Sequence, residues 1–372
     1  MLWRNSVSRV SDFSLHTQPP FIQWLTLVTL AGVSGQLLKY WNIPAALFLG
    51  PMLVAILFGV SGATIRIHKQ AFRIGQGFVG MLVAHAMTVA VLVTVAQSWH
   101  YMLFATVLTI LLSTFVGLVM VRFAGIDGST AAWGTAPGAA SAMVAMSEES
   151  GADSRVVATM QYVRVVCVVM IGALVSHLLS ADSGVTAAQA SATVAQHADP
   201  LSIALSVLAI VVGVGLSGKI PAGALLLPLL IGGALQLTGL LQISLPHWLL
   251  AFAYGAIGCY IGLRFDRPAV LYVWRRLPAM ICGSLLLIVL CSLSAWLLAE
   301  LMNKDFLSVY LATSPGGLDS MAIIAMDTHS DVGFVLAMQT LRLFGVIVSG
   351  GFFARLIIRL TEKNTPAVST TH

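Results

Sequence analysis

Thr135-Ala136-Pro137-Gly138-Ala139-Ala140-Ser141-Ala142-Met143 returns 178 positions later as Thr313-Ser314-Pro315-Gly316-Gly317-Leu318-Asp319-Ser320-Met321, in a chain that is otherwise almost continuously apolar. Each copy is followed, at the same offsets, by an acid, a glutamine and an arginine: Asp153, Gln161 and Arg164, then Asp331, Gln339 and Arg342. A Pro-Gly pair breaks helical hydrogen bonding. Irregular backbone at membrane depth is tolerated only where it is buried in protein or lines a cavity. The two segments therefore read as copies of one intramembrane site.

Two further landmarks recur at an offset of 177 or 178. Ile43-Pro44-Ala45 returns as Ile220-Pro221-Ala222, and Gly77 and Gly80 return as Gly255 and Gly258. Landmarks in one order at a near-constant offset mark a duplication of nearly the whole chain.

Of the 372 residues, 58% are apolar and 9% charged, against roughly a quarter charged in a soluble domain. Too little charge is present to cover a soluble fold of this size. Runs near the ~20 residues that cross a bilayer core are read at 22–40, 44–60, 77–96, 100–121, 156–179, 201–217, 222–240, 248–263, 279–300 and 334–354, which predicts an all-α polytopic membrane protein of about ten spans. The first run follows Arg4 and Arg9 with no small-residue cleavage site behind it, so it reads as an uncleaved anchor. The expected organisation is a cytoplasmic segment 1–21, a first membrane repeat 22–179, an extracytoplasmic linker 180–200, a second repeat 201–358 and a polar tail 359–372. The linker is rich in Ser, Ala and Thr, with Asp182 and Asp199 but no Lys or Arg.

The formal charge of +5 comes from basic residues scattered between the spans, with no dense patch for nucleic acid. Topology explains them better. With ten spans and a cytoplasmic N-terminus, 15 of the 19 basic residues fall on the cytoplasmic side, as in an inner-membrane protein with both termini inside. Only Lys39 and Lys304 face outward, while Arg164 and Arg342 lie within spans. The motif segments 131–149 and 308–326 decide the arrangement. If they crossed fully, the repeats would be parallel and Arg264, Arg267, Arg275 and Arg276 would face outward, against the positive-inside rule. Five spans per half, with the segment dipping in and returning or forming a broken helix, makes the repeats inverted, with the motif loops entering from opposite faces.

The candidate substrate- or ion-binding residues are Thr135, Pro137, Gly138, Ser141, Asp153, Gln161 and Arg164 in the first half, and Thr313, Pro315, Gly316, Gly317, Asp319, Asp331, Gln339 and Arg342 in the second. Asp319 stands where the first copy has Ser141. A buried carboxylate in a membrane suggests a counter-ion or proton carrier, and an Asp at that point also reads as a helix N-cap. Gln161 and Arg164, like Gln339 and Arg342, share a helix face at a spacing of three. Buried arginines there need partners, and Asp153, Glu148, Glu149, Asp331 or an anionic substrate are the candidates. Snorkelling to the interface is the plainer alternative. His85 reads as a hydrogen-bonded core residue. His177, His197, His247 and His329 lie near span ends or in loops. The four cysteines, Cys167, Cys259, Cys282 and Cys291, read as packed hydrophobes. No phosphate-cradling loop, metal-ligand spacing or Ser-His-Asp set is seen, so no cofactor, metal or enzymatic activity is expected.

On the two Thr-x-Pro-Gly segments, each followed by an acid and Gln-x-x-Arg, and on the Ile-Pro-Ala repeats, the chain resembles the AbrB family of bacterial integral membrane proteins over roughly residues 22–358. Members are described as regulators of gene expression or, loosely, as ammonia monooxygenases. That family is similar in turn to the superfamily of cation–proton antiporters and anion symporters, which implies inverted repeats with unwound helices at the site. A regulator label would be indirect, since the chain has no helix-turn-helix or basic reading surface, and the monooxygenase label finds no metal-ligand cluster. The expected function is a secondary transporter for a small anionic or amphipathic metabolite coupled to H⁺ or Na⁺. The alternative is a membrane sensor that affects gene expression without net transport, and the short cytoplasmic segments favour transport. Its expected partners are the lipid bilayer, a small-molecule or ion ligand and, as an open option, further copies of the chain as a homo-oligomer, with no direct nucleic-acid contact.

Overall fold

The computed structural model describes residues 18–86, 89, 93, 96–138, 140–181, 200–218, 222–265, 267–328 and 330–362. Most of the N-terminal segment, nearly all of the linker, most of the tail, and Lys219, His197 and His329 lie outside them. Among the described residues there is no strand. The first half holds α1 (Pro20–Tyr40), α2 (Ala46–Val60), α3 (Lys69–Ala86), α4 (Trp99–Ala124), α5 (Gly128–Thr135), α6 (Ala140–Glu149) and α7 (Ser154–Ala181). The second holds α8 (Pro200–Leu216), α9 (Gly223–Leu237), α10 (His247–Gly262), the short α11 (Arg267–Val273), α12 (Leu277–Met302), α13 (Phe306–Thr313), α14 (Leu318–Asp327) and α15 (Val332–Glu362).

Four helices, α1, α4, α12 and the Ser154–Leu179 part of α7, are long and apolar enough to cross a membrane. Five shorter apolar helices accompany them: α2, α8, α9, α10 and the Val332–Val346 part of α15. α3 belongs to neither group, because Lys69, Gln70 and Arg73 occupy its first turns. It also begins at Lys69 rather than at residue 77, where the apolar run starts. On α4 the large side chains Phe104, Leu111 and Phe115 point outward, and on α12 so do Val289, Leu293 and Trp296. Helices apolar all round with half their side chains outward suit lipid rather than water.

The helices pack in two groups. In one, α2 lies on α1 and α10, and α3 lies on α8, α9 and α10. Glycines allow these close crossings: a Cβ on Gly80 of α3 would run into the Leu225 carbonyl oxygen of α9, and one on Gly258 of α10 into that of Phe48 on α2. In the other group, α4 to α7 pack on α12 to α15. Met120, near the end of α4, fills the notch at Gly283, near the start of α12. The groups meet where α14 and α15 lie against α3.

The motif segments are helix-break-helix hairpins. Ala136 and Ser314 precede proline, which disfavours the helical region. Both take extended backbone, with φ −55° and ψ 127° at Ala136 and φ −54° and ψ 134° at Ser314. That stops α5 at Thr135 and α13 at Thr313. Each hairpin then returns to where it began: the Asp153 N–H, four residues past α6, donates to Thr130 Oγ1 in the first turn of α5 at 3.1 Å. In the second half the Asp331 N–H donates to Ser308 Oγ at 2.7 Å. Helices of eight and ten residues reach about 12–15 Å at 1.5 Å per residue, about half of a bilayer core of ~30 Å.

Candidate functional site

The site is built where the two hairpin tips meet the long helices. Asp127 and Asp305 cap the entering half-helices: Asp127 accepts from the backbone of Ser129 and Thr130, Asp305 from that of Ser308 at 2.8 Å. The Ser129 hydroxyl beside Asp127, helped by the helix N–H groups, holds its carboxyl below the usual range against the opposing effect of partial burial. At the tips, α5 and α13 end with carbonyls that have no helical partner. Gln161 donates to the carbonyls of Trp133, Gly134 and Ala136 at 2.8, 3.2 and 3.0 Å. Arg164 donates to those of Thr135 and Ala136 at 3.2 and 2.7 Å, and to Gln161 Oε1 at 2.7 Å. The second half repeats this. Gln339 donates to the carbonyls of Leu311 and Ser314. Arg342 donates to those of Thr313, Ser314 and Gly316 and to Gln339 Oε1.

The buried arginines therefore answer the negative ends of two half-helices. Among the described side chains none of the expected acids pairs with them, and the Glu149 side chain lies outside that description. Asp153 caps α7, accepting from the Arg155 and Val156 N–H groups at 3.1 and 3.3 Å and from the Tyr272 hydroxyl at 2.8 Å. Asp331 caps α15 through the Phe334 N–H at 3.0 Å and bridges Lys304 at 2.8 Å. Both acids sit at hairpin bases, about 16 Å along the helix from the arginine eleven residues on. Glu148 is exposed. Snorkelling is excluded as well, since Arg164 is 3% and Arg342 5% exposed.

The tips also touch across the halves. A Cβ on Gly138 would meet Met143 of its own hairpin and Val346 of α15. One on Gly316 would meet Met321 and Val168 of α7. Thr135, Pro137 and Gly138 thus lie together at one tip with Gln161 and Arg164. Thr313, Pro315, Gly316 and Gly317 lie at the other with Gln339 and Arg342. Arg164 and Arg342 are near enough to act on each other electrostatically, and Cys291 of α12 lies beside both. Arg164 Nε, Arg342 Nε, Trp133 Nε1 and Ser314 Oγ are buried without a hydrogen-bond partner. Narrow crevices flank the first tip: one between α4 and α12, lined by Met120, Met160, Arg164 and Ser284, the other toward α15, lined by Ser113, Pro137 and Phe353.

Asp319 is not the cap of α14. That position belongs to Gly317, which offers no side chain. Asp319 sits in the first turn, and both its oxygens accept from Gln76 Nε2 of α3, at 3.1 and 2.9 Å. Ser141 occupies the matching turn of α6. At the other end of α14, Asp327 accepts from the N–H of Ala45 at 2.8 Å, where the Ile-Pro-Ala segment bends through φ 57° into α2. Gln76, Asp327 and Ser113, whose hydroxyl donates to the Thr135 carbonyl, were not among the candidates. For Gln76 a signal existed: it is a polar residue inside a Gly-rich apolar stretch, and its repeat counterpart is Tyr254. Among the described residues no group of His, Cys, Asp or Glu is placed to hold a metal.

A family model described as "Transition state regulatory protein AbrB" matches residues 47–358. The chain is 40% identical over 353 residues to "Putative regulator AbrB" of Escherichia coli (strain K12), covering 93% of this chain and 99% of that one. It is 27% identical over 367 residues to "Uncharacterized protein YhjN" of Bacillus subtilis (strain 168), covering 91% and 93%. No solved structure matches it. By its sequence, and with apolar helices in accord, the chain belongs to the AbrB family.

Proposed function

We propose that the chain is an ion-coupled secondary transporter of the inner membrane, built as two inverted five-span repeats, that carries a small anionic or amphipathic metabolite by alternating access. The observation that carries this reading is the paired hairpin tips. Two half-helix N-termini, α6 and α14, open beside each other's long helices, about half a bilayer from either hairpin base. Such ends present positive dipoles to anions. The matching negative ends are already answered by Arg164 and Arg342, so the balance left at the tips is positive. Buried donors without partners at the same level, Arg164 Nε and Arg342 Nε, favour a ligand that brings acceptors, as a carboxylate does.

Support for inversion comes from packing. The first hairpin base adjoins the start of α7 through Asp153. The second adjoins Ala45 through Asp327, and the neighbouring Asn42 carbonyl meets His177 near the far end of α7, 3.1 Å from Nδ1.

The test is counterflow and gradient-driven uptake in proteoliposomes with a panel of small carboxylates. Asp319→Asn should lower ion-driven flux roughly tenfold or more, because the amide still accepts from Gln76 but carries neither a charge nor a titratable proton, and a hydrogen bond to a charged group is worth about 1.5–3 kcal/mol. Unchanged flux in folded Asp319→Asn would refute the site. Saturable ligand binding without flux would move the reading to a sensor.

A further inference from the structure

Beyond the hairpin tips themselves, the tie between the two helix groups stands out. Asp319 of α14 is a half-buried carboxylate whose hydrogen-bond partner is a neutral amide on α3. The cations on the elements around it are turned elsewhere. Arg73 of α3 donates to the Val214 carbonyl and to Ser217 Oγ. Arg164 of α7 and Arg342 of α15 hold the hairpin carbonyls. Tyr310 of α13 has its hydroxyl buried without a partner. Lys69 and His85 lie at the ends of α3, and Arg155, His177, Arg355 and Arg359 toward those of α7 and α15. Asp319 forms no ion pair among the described residues. The oxygens a hard cation would need are not gathered around it in this arrangement: the Ser320 hydroxyl is engaged in donating to the Gly317 carbonyl at 2.9 Å, and Gln76 turns its nitrogen to the carboxylate.

We propose that Asp319 and Gln76 form a proton-binding site that joins α14 to α3, so that the coupling ion of the transporter is H⁺ rather than Na⁺, with Gln76 as its positioning residue. This rests on the transport reading for its role in coupling, but not for the binding itself. A lysine or arginine in place of Gln76 would fix Asp319 as a carboxylate. An amide serves both states: its N–H donates to the carboxylate, and after a half-turn about its last torsion its oxygen accepts from the protonated acid. A charge-assisted bond is roughly twice as strong as a neutral one. Taking up one proton therefore loosens the tie between the two helix groups, and releasing it restores the tie. The repeat does not provide this elsewhere, because the counterparts of the pair are Tyr254 and Ser141.

The experiment uses the full chain in lipid nanodiscs, with protons and sodium as the only probes. Infrared difference spectra are recorded as pH is lowered in sodium-free buffer and again with sodium. The expected result is a protonated-carboxyl band that grows on acidification, is lost in Asp319→Asn, moves in frequency in Gln76→Leu and does not respond to sodium. A band kept in full in Asp319→Asn, or one that sodium removes at constant pH, overturns the proposal. The sodium arm needs only the unaltered chain, so a variant that fails to fold does not blunt the test. Flux is not part of the readout, so a chain that binds the proton but carries nothing would fail the transport reading and leave this site standing.

Discussion

At the residue scale, Arg164 and Arg342 do the work of helix caps. Each guanidinium holds carbonyls released by a Pro-Gly break and is steadied by a glutamine one turn earlier. Arg164→Ala removes three hydrogen bonds and Arg342→Ala four. The Thr135, Ala136 and Ser314 carbonyls keep Ser113, Gln161 and Gln339 as donors, so the acceptors left unanswered, at about 1–3 kcal/mol each, are Gln161 Oε1 in the first and Gln339 Oε1 with the Thr313 and Gly316 carbonyls in the second. Thermal denaturation midpoints in detergent should fall in both, further in Arg342→Ala. Lysine will not substitute, because a single ammonium lacks the planar fork that bridges two carbonyls and an amide. Arg164→Lys should lie between wild type and Arg164→Ala. A midpoint equal to wild type in either alanine variant would contradict the cap role. The sequence made one part of this legible: Gln-x-x-Arg places both side chains on one helix face. It could not show the acceptors, because these carbonyls come from a hairpin 25 to 29 residues away. Acids such as Asp153 looked nearer in sequence but lie at the other end of the half-helix.

At the element scale, the helices themselves were largely readable, because apolar runs near the bilayer length leave few alternatives. The start of α3 was not, since Lys69, Gln70 and Arg73 resemble loop residues until the helix is seen to present Arg73 to the end of α8. Crossings were legible only as repeated glycines. Gly80 and Gly258, equivalent in the two halves, each bring a helix against a neighbouring backbone carbonyl. Neither carbonyl can move aside as a side-chain tip can. Gly80→Ala and Gly258→Ala should therefore each destabilise by about 1–3 kcal/mol, the usual range for overpacking. Gly233→Ala is the control: it has no heavy atom within 4 Å of the added Cβ, and alanine favours a helix over glycine by about 1 kcal/mol. Equal midpoints for all three would show that the crossings have slack.

At the scale of the whole molecule, the charge asymmetry and the packing bear on the same property by different routes. Basic residues crowd the loops assigned to the cytoplasm, whereas the first hairpin base adjoins the start of α7 and the second meets the α1–α2 connection that reaches the far end of α7. The exposed residues Arg122, near the end of α4, and Glu300, near the end of α12, occupy equivalent positions in the two repeats. If the repeats were parallel, both would emerge on one face. With Met120 lodged against Gly283, the end of α4 lies instead at the start of α12, so the two ends point apart. In a background carrying Cys282→Ser, which removes the exposed native thiol, single Arg122→Cys and Glu300→Cys variants separate the cases. A membrane-impermeant maleimide added to intact cells should label Cys at position 300 and spare position 122 until the membrane is opened. Inverted vesicles should reverse the pattern. Labelling of both positions from the same side would leave the hairpins entering from one face, and their tips would then lack the meeting point halfway across the bilayer on which the proposed transport cycle depends.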